Sequence, residues 1–284
     1  MKIKRIGKKN IERIRKIIGK TFCLIILTSL YLYLCKYKTR YDKYYLEDNF
    51  KIIIDRNNKL FANYYKISES KYENSSAKYW ENRYQRGGNS EAGSYNNLAL
   101  FKASVLNDFV KKYNIKKVIE WGSGDCNQLS LENFKFYIGY DVSQTAINIC
   151  KAKFINDKNK IFIYINESFK NDKKADLSIS LDVIYHLLEE DVFNLYMQNL
   201  FNSSNKYVCI YSSNIDMQWA PHVRHRKFTD WIDKYISNIW KIKKYIPNKY
   251  PFDPTKSDST SFADFYIYEK IECKFKYFNI CIFH

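Results

Sequence analysis

Residues 116–128 read Lys-Lys-Val-Ile-Glu-Trp-Gly-Ser-Gly-Asp-Cys-Asn-Gln, a short apolar run followed by an acid and two glycines. The Val-Ile pair predicts a buried parallel strand. Gly122 and Gly124 predict a turn in which the backbone approaches a nucleotide-like ligand, because a Cβ atom would block that approach. Glu120 ends the strand with a carboxylate beside which a cationic group can sit. The stretch therefore predicts a site for a nucleoside cofactor that carries a positive charge.

The spacing of the glycines argues against a dinucleotide site. The dinucleotide fingerprint has a third glycine for close packing of helix on strand, and here Asn127 takes that place. The E-x-G-x-G form instead resembles motif I of the class I S-adenosylmethionine-dependent methyltransferases. The resemblance implies that Glu120 reaches the methionine amino group of that cofactor. It also implies that Gly122, Gly124 and Asn127 belong to the loop around the methionine portion.

Further acids follow the predicted strands downstream. Asp141 ends the segment 136–141, and it lies 21 residues after Glu120. An acid at about this distance in a βαβ unit is placed to accept hydrogen bonds from ribose hydroxyls. Glu167 follows a strand at 161–165, near the expected adenine edge, and Asp182 follows a strand at 176–181. We therefore expect Glu167 and Asp182 at the same cofactor site.

Strands alternate with helical segments along most of the chain. Another strand is predicted at 207–212, after a helix near 189–201, and apolar residues at helical spacing predict an amphipathic helix over 97–113. This alternation predicts an α/β fold with a Rossmann-like, mostly parallel sheet and helices on both faces. A single N-terminal hydrophobic helix is expected to precede it. Ligands of such sheets bind beyond the carboxyl ends of the strands.

The resemblance extends to residues 78–268 and to a group of bacterial methyltransferase-domain proteins. It is carried by Trp-Glu-Asn-Arg-Tyr at 80–84, by the segments 180–187 and 222–229, and by Ser-Phe-Ala-Asp-Phe at 261–265. It implies the fold and S-adenosylmethionine as the cofactor, and it leaves the methyl acceptor open. Cys126 stands where that group usually has glycine, so we expect its side chain to crowd the cofactor loop.

His186 is the leading candidate for a catalytic base. It lies four residues after Asp182, and in a helix the two would share a face, so that Asp182 would orient the imidazole. Alternatively, Asp182 caps the turn near the cofactor and His186 only lines the pocket.

His222, Arg224, His225 and Arg226 form a basic cluster after the last predicted parallel strand. We expect this cluster to bind the substrate, with the two arginines holding a carboxylate or phosphate. A solvated basic loop is the alternative. The tryptophans at 219, 231 and 240 are interpreted as packing residues, and no spacing typical of a metal site is present.

The positive charge is concentrated at the N-terminus. The formal net charge is +17, and residues 1–43 contain 13 Lys and Arg against 2 acids. A basic balance often indicates nucleic acid, but this excess flanks an apolar stretch, which favours a membrane over nucleic acid as the partner. The sequence predicts a basic head at 1–20, a transmembrane anchor at 17–36, a tether at 37–76 and a methyltransferase domain at 77–284. A buried core helix and a cleaved signal peptide are the alternatives to the anchor.

Two features of the sequence give opposite predictions for the orientation of the anchor. The basic head favours a cytoplasmic N-terminus and an external domain. However, the chain has seven Cys, an odd number, and Cys126, Cys150 and Cys209 fall in predicted core elements, as reduced thiols do. We therefore expect a single-pass membrane protein with a cytosol-facing domain. No oligomeric state is predicted.

The function expected from these features is methyl transfer to a small-molecule acceptor such as a sugar or another hydroxyl compound. Two alternatives stay open. One is a non-catalytic S-adenosylmethionine-binding or scaffold protein of the same fold, and the other is a nucleic-acid methyltransferase.

Overall fold

The computed structural model describes residues 52–54, 60–62, 75–166, 169 and 171–271. The chain divides into two compact units, 1–63 and 64–284. In the first unit, strand β1 (Ile52–Ile54) pairs antiparallel with β2 (Leu60–Ala62). The predicted anchor at 17–36 lies outside the described residues. Among the residues that are described, no helix has the length and apolar character to cross a membrane.

The second unit is built on a seven-stranded sheet. Its strands are β3 (Lys117–Trp121), β4 (Phe136–Asp141), β5 (Lys160–Tyr164), β6 (Ala175–Leu181), β7 (Ser204–Ser212), β10 (Trp240–Ile246) and β11 (Asp264–Lys270). The order across the sheet is β10-β11-β7-β6-β3-β4-β5. Strands β3 to β7 pair in parallel, whereas β11 is antiparallel to both β7 and β10. The predicted Rossmann-like, mostly parallel sheet is confirmed.

Five helices and a small hairpin complete the described part of this unit. The helices are α1 (Ser76–Gln85), α2 (Asn96–Lys112), α3 (Gln144–Lys153), α4 (Glu190–Asn202) and α5 (Phe228–Tyr235). The hairpin pairs β8 (Met217–Ala220) with β9 (Val223–His225). Short 3₁₀ turns occupy Ala92–Ser94, Gln128–Leu131, Ile184–His186 and Pro254–Ser259.

Local sequence signals explain where these elements begin. Ser143 caps α3, since its side chain accepts a hydrogen bond from the backbone N–H of Ala146 at 3.0 Å. The apolar face predicted for 97–113 is buried in α2, where Leu106 and Phe109 pack in one core cluster with Leu177 of β6. Burial of each such side chain contributes roughly 1.5–3 kcal/mol. The central strands are buried almost throughout, as expected for parallel strands.

The cysteines differ from the expectation of reduced thiols. Cys126 and Cys150 form a disulfide that links residue 126 to α3, and Cys209 is a free, buried thiol. Cys126 has a φ of 58°, in the left-handed region, and both disulfide partners are fully buried. The expectation was therefore wrong for this pair. The two cysteines lie 24 residues apart in the chain, with strand β4 between them.

Candidate active site

A cavity of about 1430 Å³ opens at the carboxyl ends of the parallel strands. Glu120, Asp141 and Asp182 all border it. They end or follow β3, β4 and β6, and these three strands are neighbours in the sheet. The predicted carboxylates are therefore brought together at one edge, where ligands of such sheets bind.

The loop after β3 requires its glycines. Gly122 and Gly124 have φ values of 86° and 55°. A Cβ atom on Gly122 would lie 2.5 Å from the Val183 side chain, and one on Gly124 would lie 2.3 Å from Oγ of Ser90. Both glycines border the cavity. The loop thus exposes bare backbone to the cavity, in a conformation that a side chain would disrupt.

Asp141 connects this loop to the start of α3. One carboxylate oxygen accepts the backbone N–H of Gly124 at 2.8 Å, and the other accepts that of Ser143, also at 2.8 Å. Burial raises the pKa of Asp141 to about 6, although the backbone donors act in the opposite direction. A carboxylate has about four acceptor sites, so Asp141 can still accept hydrogen bonds from a ligand.

Glu120 is the most deeply placed acid of the cavity, with an exposure of 4%. Tyr137 donates its hydroxyl hydrogen to this carboxylate. Burial raises the pKa of Glu120 to about 7, and the Tyr137 hydrogen bond and the charge of Lys102 only partly oppose that rise. A cation beside Glu120 would favour the charged carboxylate.

Residues 81–95, which precede β3 in the chain, form hydrogen bonds with the glycine loop and with the start of α3. Asp125 accepts the backbone N–H of Ser90 at 2.9 Å and the hydroxyl of Tyr95 at 2.7 Å. Glu81 of α1 accepts the hydroxyl of Ser143 at 2.6 Å. The sequence analysis assigned no role to these polar residues, because each bond joins positions 30 or more residues apart.

Asp182 does not orient His186. Its two carboxylate oxygens instead contact Nζ of Lys102 at 2.5 Å and the hydroxyl of Tyr185 at 2.7 Å. Lys102 of α2 is fully buried, and sequence reasoning missed it. Asp182 has a φ of 59° and precedes a 3₁₀ turn. Residues 182 and 186 therefore do not share a helix face, which is why the expected contact is absent.

His186 borders the cavity as a buried, neutral base. Its Nδ1 lies 3.2 Å from the backbone oxygen of His222. A carbonyl oxygen can only accept, so this bond places the proton on Nδ1 and leaves the lone pair on Nε2. Burial lowers the pKa of His186 below its ordinary value of 6.5. The ring of Trp80 packs edge-on against the imidazole at 4.8 Å.

The four residues of the basic cluster lie in or next to the β8–β9 hairpin, and their side chains have different surroundings. Only His225 of its four predicted residues borders the cavity. Arg226 is buried, where its guanidinium contacts Glu190 at 2.5 Å and donates to the backbone oxygens of 187 and 188. Arg224 lies 3.7 Å from Glu190, and the His222 ring stacks on Tyr79. The arginine clamp expected from the sequence is thus not assembled at the cavity.

Asn127, another predicted cofactor residue, does not border the cavity. It follows the glycine loop, but its side chain donates to the backbone oxygen of Ser94 at 2.8 Å. Glu167 lies outside the described residues. Cys126 does not border the cavity either, since its side chain lies in the core as half of the disulfide. It therefore does not crowd the cofactor loop.

An aromatic wall, Trp219 with Phe252 and Phe262, was not anticipated. The Trp219 ring lies 5.5 Å from that of Phe252 and 5.3 Å from that of Phe262, and all three border the cavity. Trp231 and Trp240 are buried packing residues, as expected, but Trp219 is 53% exposed. The interpretation of Trp219 as a packing residue was therefore wrong.

The cavity is acidic although the chain is basic. Among the residues that the structure describes, eight Asp and Glu side chains border it, against Lys78 and Arg83. The acids are Glu81, Glu91, Glu120, Asp141, Asp182, Glu189, Asp191 and Asp258. This charge balance favours cationic ligands over phosphates and carboxylates.

No protein-family model and no curated protein matches the sequence. The structure is similar to that of the N-methyltransferase NodS from Bradyrhizobium japonicum WM9 in complex with S-adenosyl-L-homocysteine. The two chains are 11% identical, with a TM-score of 0.51 over 70% of this chain and 100% of NodS. It is also similar to magnesium protoporphyrin IX methyltransferase (ChlM) from Synechocystis PCC 6803 with bound S-adenosylmethionine. Here the identity is 14% and the TM-score 0.50, over 72% of this chain and 99% of ChlM. The chain therefore has the fold of the class I S-adenosylmethionine-dependent methyltransferases.

Proposed function

We propose that this protein is an S-adenosylmethionine-dependent methyltransferase that acts on a small-molecule acceptor and is tethered to a membrane by residues 17–36. One observation carries the proposal. In a class I methyltransferase fold, a glycine loop that has no room for side chains lies between two buried acids at the edge of a large cavity.

The residues at this edge fit the proposed cofactor. Glu120 would face the cationic part of its methionine group, and the bare backbone of Gly122 and Gly124 would accept its close approach. Asp141 would accept the ribose hydroxyls with its remaining lone pairs. Asp182 would lie at the next strand end, held by Lys102.

When bound, S-adenosylmethionine supplies a methyl group that passes to a lone pair of the acceptor, while the electron pair of the broken C–S bond stays on sulfur. The protein's contribution is mainly to hold the acceptor at near-attack distance and to exclude water. His186 would take the proton that the acceptor atom loses, because its Nε2 carries the free lone pair. The backbone oxygen of His222 fixes this tautomer, a role that the sequence analysis gave to Asp182.

The acidic cavity supports a small acceptor over a nucleic acid. Phosphate backbones bind to Lys and Arg side chains, and the eight acids against two basic residues in the described part of the cavity would repel them. The sequence suggests a hydroxyl compound such as a sugar, and carboxylates can accept hydrogen bonds from such hydroxyls.

A methyl-transfer screen tests the proposed activity. The full-length protein would be incubated with S-adenosylmethionine carrying a labelled methyl group and with pooled small-molecule extracts, beside the Asp141→Ala variant. We expect labelled products with the wild type that are lost with the variant. Equal labelling by both proteins would contradict the assignment of Asp141. The absence of any product, despite cofactor binding, would favour a non-catalytic protein of this fold.

His186→Ala separates the base from the cofactor site. We expect turnover to fall by roughly 100-fold or more, the usual contribution of a positioned base. Cofactor affinity should change little, because the proposal assigns His186 to the acceptor and not to the cofactor. Wild-type turnover in this variant, measured as S-adenosylhomocysteine release, would remove His186 from the proposal.

A further inference from the structure

The aromatic wall is available to a ligand. Phe252 and Phe262 stack on one another with ring centroids 3.9 Å apart, and Trp219 meets both rings edge-on. Trp219 keeps 53% of its surface exposed. An exposed aromatic face attracts cations and covers apolar groups. The wall is therefore a preformed surface for part of the acceptor.

Ring contacts connect this wall to the proposed base. His225 lies 5.2 Å from Phe262 and 5.5 Å from Tyr185, and Tyr185 lies 4.7 Å from His186. All of these residues border the same cavity. The wall and the proposed base therefore line one cavity, with His225 and Tyr185 between them.

His225 offers an incomplete polar group beside the wall. Its Nδ1 lies 2.6 Å from Oγ of Ser213, whereas its Nε2 is buried and has no hydrogen-bond partner among the described residues. The whole side chain is almost fully buried, with 4% exposure. Buried polar atoms are normally paired. When Nδ1 carries the proton and donates it to Ser213, Nε2 is an acceptor, and a ligand N–H would supply its missing partner.

The charge of the cavity exceeds what the protein itself neutralises. Among the described residues, only two of the eight cavity acids form ion pairs, Glu91 with Arg83 and Asp182 with Lys102. Glu120 and Asp141 lie at the proposed cofactor site, where the positive charge of the cofactor would offset part of their negative charge. Asp258 borders the cavity from the same chain segment as Phe252 and Phe262, and no Lys or Arg in the described part of the chain forms an ion pair with it.

We infer that the acceptor is a small amine, which binds as its ammonium ion against the wall of Trp219, Phe252 and Phe262. This inference rests on the proposed function. Cation–π attraction and the surrounding carboxylates hold the ammonium ion. The ammonium group gives one proton to Nε2 of His186, and the freed nitrogen lone pair forms the new N–C bond as the C–S bond breaks towards sulfur. The products are a methylated ammonium ion and a neutral thioether, and His186 returns its proton to water.

Three probes of one shape test this inference, because they differ mainly in charge. The full-length protein, saturated with S-adenosylhomocysteine, would be titrated calorimetrically with 2-phenylethylamine, 2-phenylethanol and 3-phenylpropionate. We expect the amine to bind about tenfold or more tightly than the alcohol, and the carboxylate not to bind. Trp219→Ala should weaken binding of the amine by about tenfold. Phe136→Ala is the matched control, since Phe136 is an exposed ring outside the cavity, and it should leave amine binding unchanged.

The binding of S-adenosylhomocysteine, measured first, separates the two proposals. If it does not bind, the proposed function fails. If it binds and the alcohol binds as tightly as the amine, the inference alone is overturned, and a neutral hydroxyl acceptor is favoured. Equal loss of amine binding in the Trp219 and Phe136 variants would also overturn it. With S-adenosylmethionine in place of the product, an amine acceptor predicts that the probe becomes N-methylated.

Discussion

Glu120 and Asp141 are buried acids whose charged forms have no cationic neighbour in direct contact among the described residues. Burial raises the pKa of Glu120 to about 7 and that of Asp141 to about 6. Such perturbed acids in a cavity often mark a functional site. Here they are consistent with a site that gains its missing positive charge from the ligand.

Cofactor affinity should therefore depend on pH. Below about pH 7 the free protein carries a proton on Glu120, and a cationic ligand must displace it. Binding of S-adenosylmethionine should thus strengthen as the pH rises from 5.5 to 8, with a slope of up to tenfold per unit for one proton released. Glu120→Gln removes this titration, so its affinity should be lower at pH 8 and nearly constant above pH 6.5. Calorimetry across this range checks it, and a wild-type profile that matches the variant's would contradict the role of Glu120.

Asp182 shows why the spacing of residues in the sequence did not predict its side-chain contact. A separation of four residues predicts a shared face only if the chain is helical, and the left-handed φ of Asp182 breaks that condition. Its partner, Lys102, comes from 80 residues upstream. The helix pattern of residues 97–113 is amphipathic whether Lys102 is buried or exposed. The sequence therefore does not reveal that this lysine is buried.

The glycine loop is the element on which the site depends, and α3 holds it from one side. Asp141 fastens Gly124 to the start of that helix, and the Cys126–Cys150 disulfide fastens the end of the loop to its last turns. The two attachments restrict the backbone that would contact the cofactor. Preorganisation of this kind lowers the cost of binding.

Reduction of the disulfide should loosen this element. A bridge that closes a loop of this size contributes about 3 kcal/mol to the free energy of unfolding, so a reductant should lower the denaturation midpoint measurably. Cys150→Ser should be destabilised to a similar degree and should not respond to reductant. A Cys150→Ser variant that still responds, or a wild type that does not, would show that another group or no bridge is involved.

The elements themselves were largely predictable from the sequence. The strand at 136–141 agrees with the structure residue for residue, and the helix predicted at 97–113 is Asn96–Lys112. The pattern of apolar residues suffices for such elements because it is a local signal. The aromatic wall could not be predicted, since it brings together a hairpin and a loop that lie about 30 residues apart in the chain.

On the scale of the whole molecule, charge is divided between two regions. Residues 1–43 carry 13 Lys and Arg with 2 acids, whereas the cavity is bordered mainly by acids. A basic segment beside an apolar stretch attracts anionic lipid surfaces. Most of the net positive charge, +11 of +17, thus lies in the segment of the proposed anchor and not at the proposed site.

Removal of residues 1–43 should therefore separate membrane binding from cofactor binding. We expect the full-length protein to float with vesicles that contain phosphatidylserine, and the shortened protein to remain in the aqueous fraction. Both should bind S-adenosylhomocysteine equally. If the shortened protein still floats, the anchor lies elsewhere. If it binds RNA in a salt-dependent manner, the nucleic-acid alternative is favoured.

Calorimetric titration of the full-length protein with S-adenosylhomocysteine tests the central claim most directly. It should be run beside Asp141→Ala and Asp176→Ala, since Asp176 is a sheet carboxylate that accepts backbone N–H groups but does not border the cavity. We predict one bound molecule per chain, and an affinity roughly tenfold or more weaker for Asp141→Ala, because hydrogen bonds to a charged group contribute about 1.5–3 kcal/mol. Asp176→Ala should match the wild type. No binding to the wild-type protein, or equal affinities for the two variants, would contradict a cofactor site at the end of β4.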